Sequence, residues 1–164
     1  MPFISKSVLA AAIKRHETMS LADKEKVCDE LFEQQPNLLG SVLVLPRMGV
    51  AAKYVDAVLT VLIVIHLAVN ASGSRITTIS EEIQERELQR FVGTAMFSDG
   101  LDQNLMAESL MQYEGFRMEP TLMAYVISIL ESTGIHADTN ENTKYALMTA
   151  FTLVGCIANA QSQA

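Results

Sequence analysis

His66 is the side chain with the greatest capacity for chemistry, since it is the one imidazole within the apolar stretch of residues 53–71. An imidazole changes its charge near neutral pH and acts as a general acid, a general base or a metal ligand. The carboxylate of Asp56 is nearly three helical turns away along the same stretch, too far for direct pairing. We therefore expect His66 to be buried with one hydrogen-bond partner and to have a structural role.

An alternative interpretation places His66 in a pocket between two central helices. Tyr54 lies at the start of the same stretch, and Tyr145 lies at the start of a second apolar stretch late in the chain. A tyrosine hydroxyl near an imidazole orients a polar ligand or assists proton transfer. This alternative predicts a small-molecule-binding or hydrolytic protein whose pocket uses His66 with Tyr54 or Tyr145.

The familiar motifs of catalysis and cofactor binding are missing from the sequence. It has no GxSxG turn, no P-loop and no GxGxxG after a strand. His16-Glu17 and His136-x-Asp138 are too sparse for a metal site, which needs several ligands at defined spacings. We therefore assign no catalytic, cofactor-binding or metal-binding residue, and we favour a protein that is not an enzyme.

Methionine usage favours a surface that binds protein. The chain has nine methionines, and several of them lie close together between residues 96 and 123. Methionine is unbranched and polarizable, which suits adaptable binding surfaces. Met111 falls off the apolar stripe of its helix and Met118 lies near the end of that helix. Residues 38–45 carry more apolar groups than a single stripe needs. The predicted interface residues are Leu38, Leu39, Val42, Leu45, Met111 and Met118.

The composition indicates one domain with surplus apolar surface. The chain has 164 residues, of which 19% are charged, below the roughly 25% typical of soluble domains. A formal charge of −7 repels a phosphate backbone, so we expect no nucleic-acid partner. Cys28 and Cys156 lack Cys-x-x-Cys spacing, and the apolar run at residues 8–13 is too short for a signal sequence. These features predict a cytoplasmic protein with two buried, reduced cysteines.

Residues 53–71 are the densest apolar run, and helix, strand and membrane span compete for it. Its β-branched residues favour a buried strand, but strands usually run roughly 4–8 residues and nothing interrupts this stretch. Lys53, Asp56 and Thr60 share one helical stripe. A membrane span needs about 20 apolar residues with aromatic or basic flanks, which are absent here. We expect a buried core helix, with peripheral membrane association through residues 38–71 as a weaker alternative.

Start signals divide the chain into about eight helices, and no segment is predicted to form a sheet. Ser20 with Asp23 marks one helix start, and Pro36 and Pro120 stand where first-turn prolines begin helices. Thr78 with Glu81 forms a capping-box pattern. The expected helices span residues 5–17, 20–34, 37–46, 51–71, 78–97, 101–118, 120–132 and 140–160.

The second half of the chain matches the first at an offset of 84 residues. The matched positions are Glu30, Phe32, Pro36, Leu38 and Val42 with Glu114, Phe116, Pro120, Leu122 and Val126, and Lys53-Tyr54 with Lys144-Tyr145 after small insertions. Such a match predicts one structural unit present twice. We therefore predict a single all-α domain, residues 1–164, built from two tandem, pseudo-symmetric four-helix repeats at about 5–71 and 78–160, with helices 51–71 and 140–160 paired at the centre.

The leading functional hypothesis is a helical module that binds protein and forms a homodimer. It rests on the apolar surplus, the methionine-rich second half and the missing catalytic motifs. A twofold homodimer is the commonest closed assembly that covers such a surplus. Self-association is the first expected partnership, and another protein is the second.

Overall fold

The computed structural model describes residues 4–97 and 118–162, which form seven α-helices and no strand. The all-α prediction is confirmed for these residues. The helices are α1 Lys6–Thr18, α2 Leu21–Gln34, α3 Pro36–Leu43, α4 Ala52–Ala71, α5 Glu81–Phe97, α6 Pro120–Ser132 and α7 Lys144–Ser162. Short 3-10 helices lie at Leu45–Met48, Ile135–Ala137 and Glu141–Thr143.

Local capping explains where α1 and α2 begin. The hydroxyl of Ser5 accepts from the amide of Val8 at 3.2 Å, which satisfies an amide that has no partner inside α1. Ser20 and Asp23 form the reciprocal capping box expected from their spacing. Each side chain accepts from the other residue's backbone N–H, at 3.2 and 3.3 Å. Helix starts of this kind are therefore properties of neighbouring residues alone.

The core is organised around α4 and α7. Every residue from 61 to 69 in α4 is buried, and so is every residue from 150 to 158 in α7. The two helices pack against each other. Helix α1 lies along α4, and α5 lies along α7. Helices α3 and α6 each contact both central helices. A helix that is apolar all round must be covered on all sides. The prediction of a buried core helix at residues 51–71 is confirmed.

By length and composition α4 would also fit a membrane. Its most apolar window has a mean hydropathy of 1.9, but 67% of that window is buried inside the protein. The solvent-facing positions at its start are polar, with Lys53 and Asp56 exposed. Its apolar side chains are therefore already in contact with protein.

The structure corrects three predicted boundaries. The helix expected at 37–46 ends at Leu43 and continues as a 3-10 turn, which Gly49 closes in a left-handed conformation with φ of 85°. The helix expected at 140–160 begins with a separate 3-10 turn. The helix expected at 78–97 begins at Glu81, because Ser80 caps it and Thr78 bonds elsewhere. The helix expected at 101–118 lies outside the described residues, apart from its last position.

Candidate functional site

A cleft of about 460 Å³ lies between α2 and α4. Residues 72–80, which we call the α4–α5 connection, run along its edge. The floor is apolar and consists of Leu31, Leu38, Leu62, Ile65, Val69 and Ile157. The rim is polar and consists of Gln34, Gln35, His66, Asn70, Ser74, Arg75, Thr77 and Thr78. An apolar lining combined with a few hydrogen-bonding groups is common in ligand sites.

His66 lies at the rim with a buried side chain. Its Nε2 atom is 3.0 Å from Oε2 of Glu30 and 3.1 Å from the side-chain amide of Asn70. A carboxylate only accepts, so Nε2–H donates to Glu30, while Nδ2 of Asn70 lies 3.1 Å from the same nitrogen. The bond ties α2 to α4 at the edge of the cleft. The carboxylate of Glu30 remains 53% exposed.

The α4–α5 connection is held by side chains at the junction of α2 and α3. Gln35 donates to the carbonyl of Thr77 at 3.0 Å and accepts from the amide of Ile79 at 2.9 Å. Asn37 donates to the carbonyl of Ile79 at 2.9 Å, and Thr78 donates to the carbonyl of Gln34 at 3.0 Å. The buried amide group of Gln35 is satisfied by backbone groups, as burial requires. This wall of the cleft is therefore built from directional bonds.

Within the described part of the chain, Arg75 is the one permanently charged side chain that lines the cleft. It is exposed, and within the part of the chain that the structure describes it forms no ion pair. Among the described residues, the lining includes no aspartate or glutamate, although Glu30 reaches its edge through the bond to His66. The lining thus carries a positive charge, although the whole chain carries a formal charge of −7.

The structure does not bring Tyr54 and Tyr145 to His66. Tyr54 lies on α4, about 18 Å from His66 along the helix axis, and its hydroxyl donates to Oδ2 of Asp138 at 2.6 Å. That hydrogen bond raises the pKa of Tyr54 and lowers the pKa of Asp138. Tyr145 is half-buried, with the ammonium of Lys144 at 5.4 Å from its ring centre. Neither tyrosine is among the residues that line the cleft.

The predicted interface is also corrected. Leu38, Leu39, Val42 and Leu45 are all buried within the chain, because α3 and the turn after it pack against α4 and α7 while α2 covers another side of α3. They are core residues. Met118 is half-buried, and Met111 lies outside the described residues.

The exposed apolar side chains lie at other positions. Leu21 and Phe32 of α2 are 75% and 69% exposed, and Leu43 at the end of α3 is 57% exposed. The buried residues of α2 are Val27 and Leu31. Periodicity identifies a stripe, but it does not show on which side the next helix lies.

Both cysteines are unpaired thiols in a protonated state. Burial raises the pKa of Cys156 to about 12, with a further contribution from Glu87, and burial also raises the pKa of half-buried Cys28. Among the described residues, no hydroxyl or thiol hydrogen-bonds to His66, and no group of three or more potential metal ligands is found. The geometry of the cleft therefore offers binding groups and no activated nucleophile.

Sequence reasoning found His66 and missed its surroundings. Asn70 carried a usable signal, since residues four apart lie on the same face of a helix. No signal in the sequence indicated that Glu30 and Arg75 lie near His66, because their positions depend on how α2 and the α4–α5 connection pack against α4. No protein-family model, curated protein or solved structure matches this chain.

Proposed function

We propose that this protein binds a small amphipathic molecule in the cleft between α2 and α4. The observation that carries the proposal is the pairing of an apolar floor with a polar rim in one space of about 460 Å³. Ligand pockets are commonly about 300–1,000 Å³ and combine an apolar lining with a few polar groups. Binding is favoured over hydrolysis because, among the described residues, no hydroxyl or thiol hydrogen-bonds to His66 as an activated nucleophile would.

The energetics support an amphipathic ligand. An apolar ligand body gains roughly 25 cal/mol for each Å² that it removes from water. The floor offers partners such as Leu62, Ile65 and Val69 for that contact. A ligand without a polar end would leave the rim donors of Asn70 and Arg75 unmatched where it covers them, which costs free energy. A molecule with one apolar and one polar end satisfies both parts.

Titration with octanol and with octanoate, followed by ¹H–¹⁵N NMR, tests this proposal. We expect at least one of the two probes to shift the amide signals of His66, Asn70 and Ser74 and to leave α6 signals unchanged. Thr77→Phe places a ring at the mouth of the cleft without removing a side-chain hydrogen bond, so binding should be lost. Thr139→Phe, at an exposed position outside the cleft, is the matched control. If neither probe shifts the cleft signals, the proposal is overturned.

A second candidate function is self-association through α2. Leu21, Cys28 and Phe32 lie on one side of this helix, at spacings of seven and four residues, and we call them the α2 stripe. Leu21 and Phe32 are the two most exposed large apolar side chains among the described residues. Covering them with a second copy of the chain removes apolar surface from water, and another protein with an apolar helix face would serve the same purpose.

We also propose that the chain is a duplicated unit in which α3–α4 corresponds to α6–α7. The residues before Pro36 and Pro120, Gln35 and Glu119, support this with nearly equal backbone angles, φ/ψ of −136/58° and −129/63°. Both are buried, and each bonds to the segment that leads into a helix of the other half, α5 for Gln35 and α1 for Glu119. Superposing α3–α4 on α6–α7 in an experimental structure should align Lys53 with Lys144. An unrelated path for the two pairs would reject the duplication.

A further inference from the structure

We propose that the ligand of the cleft is a monocarboxylate with an apolar body, held by Arg75 at its charged end. This inference rests on the proposed binding function and adds the chemical class of the ligand. Three features of the cleft carry it: the charge of its lining, the carboxylate already bonded to His66, and the apolar floor.

The charge of the lining selects an anion. Arg75 is a permanent cation without an ion-pair partner among the described residues, and the carboxylate that the structure ties to the lining, that of Glu30, is bonded to His66 and not to Arg75. The whole chain has a formal charge of −7 and repels anions at long range. Selection for an anion must therefore be local. A guanidinium offers two parallel N–H donors that match the two oxygens of a carboxylate.

The bond from His66 to Glu30 shows that this rim already accommodates a carboxylate. Oε2 of Glu30 sits 3.0 Å from Nε2 of His66, and Asn70 contacts the same nitrogen. Because Glu30 is 53% exposed, it can turn away into water when another carboxylate approaches. The incoming group then meets His66, Asn70 and Arg75, which all line the cleft.

The floor accounts for the rest of the molecule. Leu31, Leu38, Leu62 and Ile65 are each almost fully buried and present only carbon to the cleft. A second charged group deep in the cleft would lose its water without gaining a partner. The ligand class is therefore a molecule with one charged end and an apolar body.

Comparison of octanoate with octanol tests the inference, since the two probes differ only at the polar end. We expect octanoate to bind about tenfold more tightly than octanol, because only octanoate forms a charge-assisted hydrogen bond with Arg75. Arg75→Gln should weaken octanoate binding about tenfold and leave octanol binding unchanged. Arg86→Gln removes a positive charge from an exposed position of α5 outside the cleft, so it serves as the matched control.

Glu30→Gln provides an independent test. It removes the carboxylate that competes for His66, so octanoate binding should become several-fold tighter while the thermal midpoint confirms folding. Equal affinity for octanoate and octanol in the wild-type protein would overturn the inference that the ligand carries a carboxylate, and it would leave the proposed binding function intact. A preference for octanoate that survives Arg75→Gln would overturn the role of Arg75. Binding of neither probe would overturn the proposed function itself.

Discussion

Tyr54 and Asp138 show how a polar pair at the surface of the core joins distant segments. The phenol of Tyr54 is held against the loop before α7, where Asp138 also accepts from the amide of Asn140 at 2.8 Å. The hydrogen bond stabilises the ionised carboxylate and the neutral phenol together. It therefore lowers the pKa of Asp138 below 3.8 and raises the pKa of Tyr54 above 10.0.

Replacing Tyr54 with phenylalanine should lower the urea midpoint at pH 7 by more than Tyr145→Phe does, since none of the described residues hydrogen-bonds to the hydroxyl of Tyr145. The difference in urea midpoint between the wild type and Tyr54→Phe should become smaller at alkaline pH. A raised tyrosine pKa gives stability that is fully present below pH 10.0 and is lost as the pH rises through the folded-state pKa. It should also narrow in acid, because the lowered pKa of Asp138 gives stability that is lost as the pH falls below 3.8. A difference that stays constant with pH would contradict the pairing.

Cys156 is a titratable group that the core keeps neutral. It is fully buried in α7, and burial raises its pKa from 9.0 to about 12. The unfolded chain ionises this thiol above pH 9.0 while the folded chain does not. The contribution of this thiol to the free energy of unfolding is therefore fully present below pH 9.0, and it is lost as the pH rises toward 12.

For Cys156→Ala we expect two opposite effects. At pH 7 the variant should be less stable by about 1 kcal/mol, because a buried atom is lost. Between pH 8 and pH 10.5 the wild type should lose about 2 kcal/mol more than the variant, as the thiol no longer titrates. Urea denaturation at pH 7, 8 and 10.5 measures both effects, with Cys28→Ala as the control for a half-buried thiol. Parallel alkaline losses in the wild type and Cys156→Ala would refute the expected role of this thiol.

At the scale of elements, two glycines in and after α3 have opposite requirements. Gly49 ends the 3-10 turn with φ of 85°, and a Cβ there would stand 2.5 Å from Nδ2 of Asn142. Gly40 lies in the helix itself, where a Cβ would meet nothing within 4 Å. Left-handed backbone disfavours side chains, whereas helical backbone favours alanine over glycine.

The matched pair Gly49→Ala and Gly40→Ala should therefore change stability in opposite directions. We expect Gly49→Ala to lose about 1–2 kcal/mol or more through backbone strain and contact with Asn142. Gly40→Ala should gain about 0.5–1 kcal/mol by restricting the unfolded chain. The urea midpoints of both variants against wild type measure the two effects. Destabilisation of equal size by both substitutions would mean that the turn geometry is not the cause.

At the scale of the whole molecule, the composition predicted exposed apolar side chains but did not identify which residues they are. The low charged fraction predicted uncovered apolar surface, and the surface does contain exposed apolar side chains, on α2 and at the end of α3. The residues chosen from the sequence, such as Leu38 and Val42, are instead part of the core. Much of the apolar surplus is thus used by the two central helices, which are buried on all sides.

Light scattering of the purified chain tests self-association through the α2 stripe. We expect a mass of twice the 18.0 kDa monomer across a micromolar dilution series. The double variant Leu21→Ser, Phe32→Ser should be monomeric, since burying each of these side chains contributes about 1.5–3 kcal/mol. Leu43→Ser removes an exposed leucine outside the stripe and should leave the dimer intact. A monomeric wild type would reject the dimer without affecting the ligand cleft.

Several elements were predictable because their causes are local. The capping box of Ser20 and Asp23 acts within one helical turn, and the prolines at 36 and 120 begin helices by their own backbone geometry. The length and density of the apolar run at residues 53–71 required a buried helix. The start of α5 was misjudged for the opposite reason, since the hydroxyl of Thr78 bonds to Gln34, which is distant in sequence.

The amino-acid sequence by itself determined the all-α class, most helix positions and the burial of α4, because helix starts and apolar periodicity depend on residues within a few turns of one another. Only the tertiary structure decided which face of each helix meets solvent, that Glu30 reaches His66, and that Arg75 stands over an apolar floor. These features depend on the relative placement of α2, α4 and the α4–α5 connection. That placement follows from packing and hydrogen bonds between residues far apart in sequence, such as Gln35 with Ile79, and no local pattern encodes it.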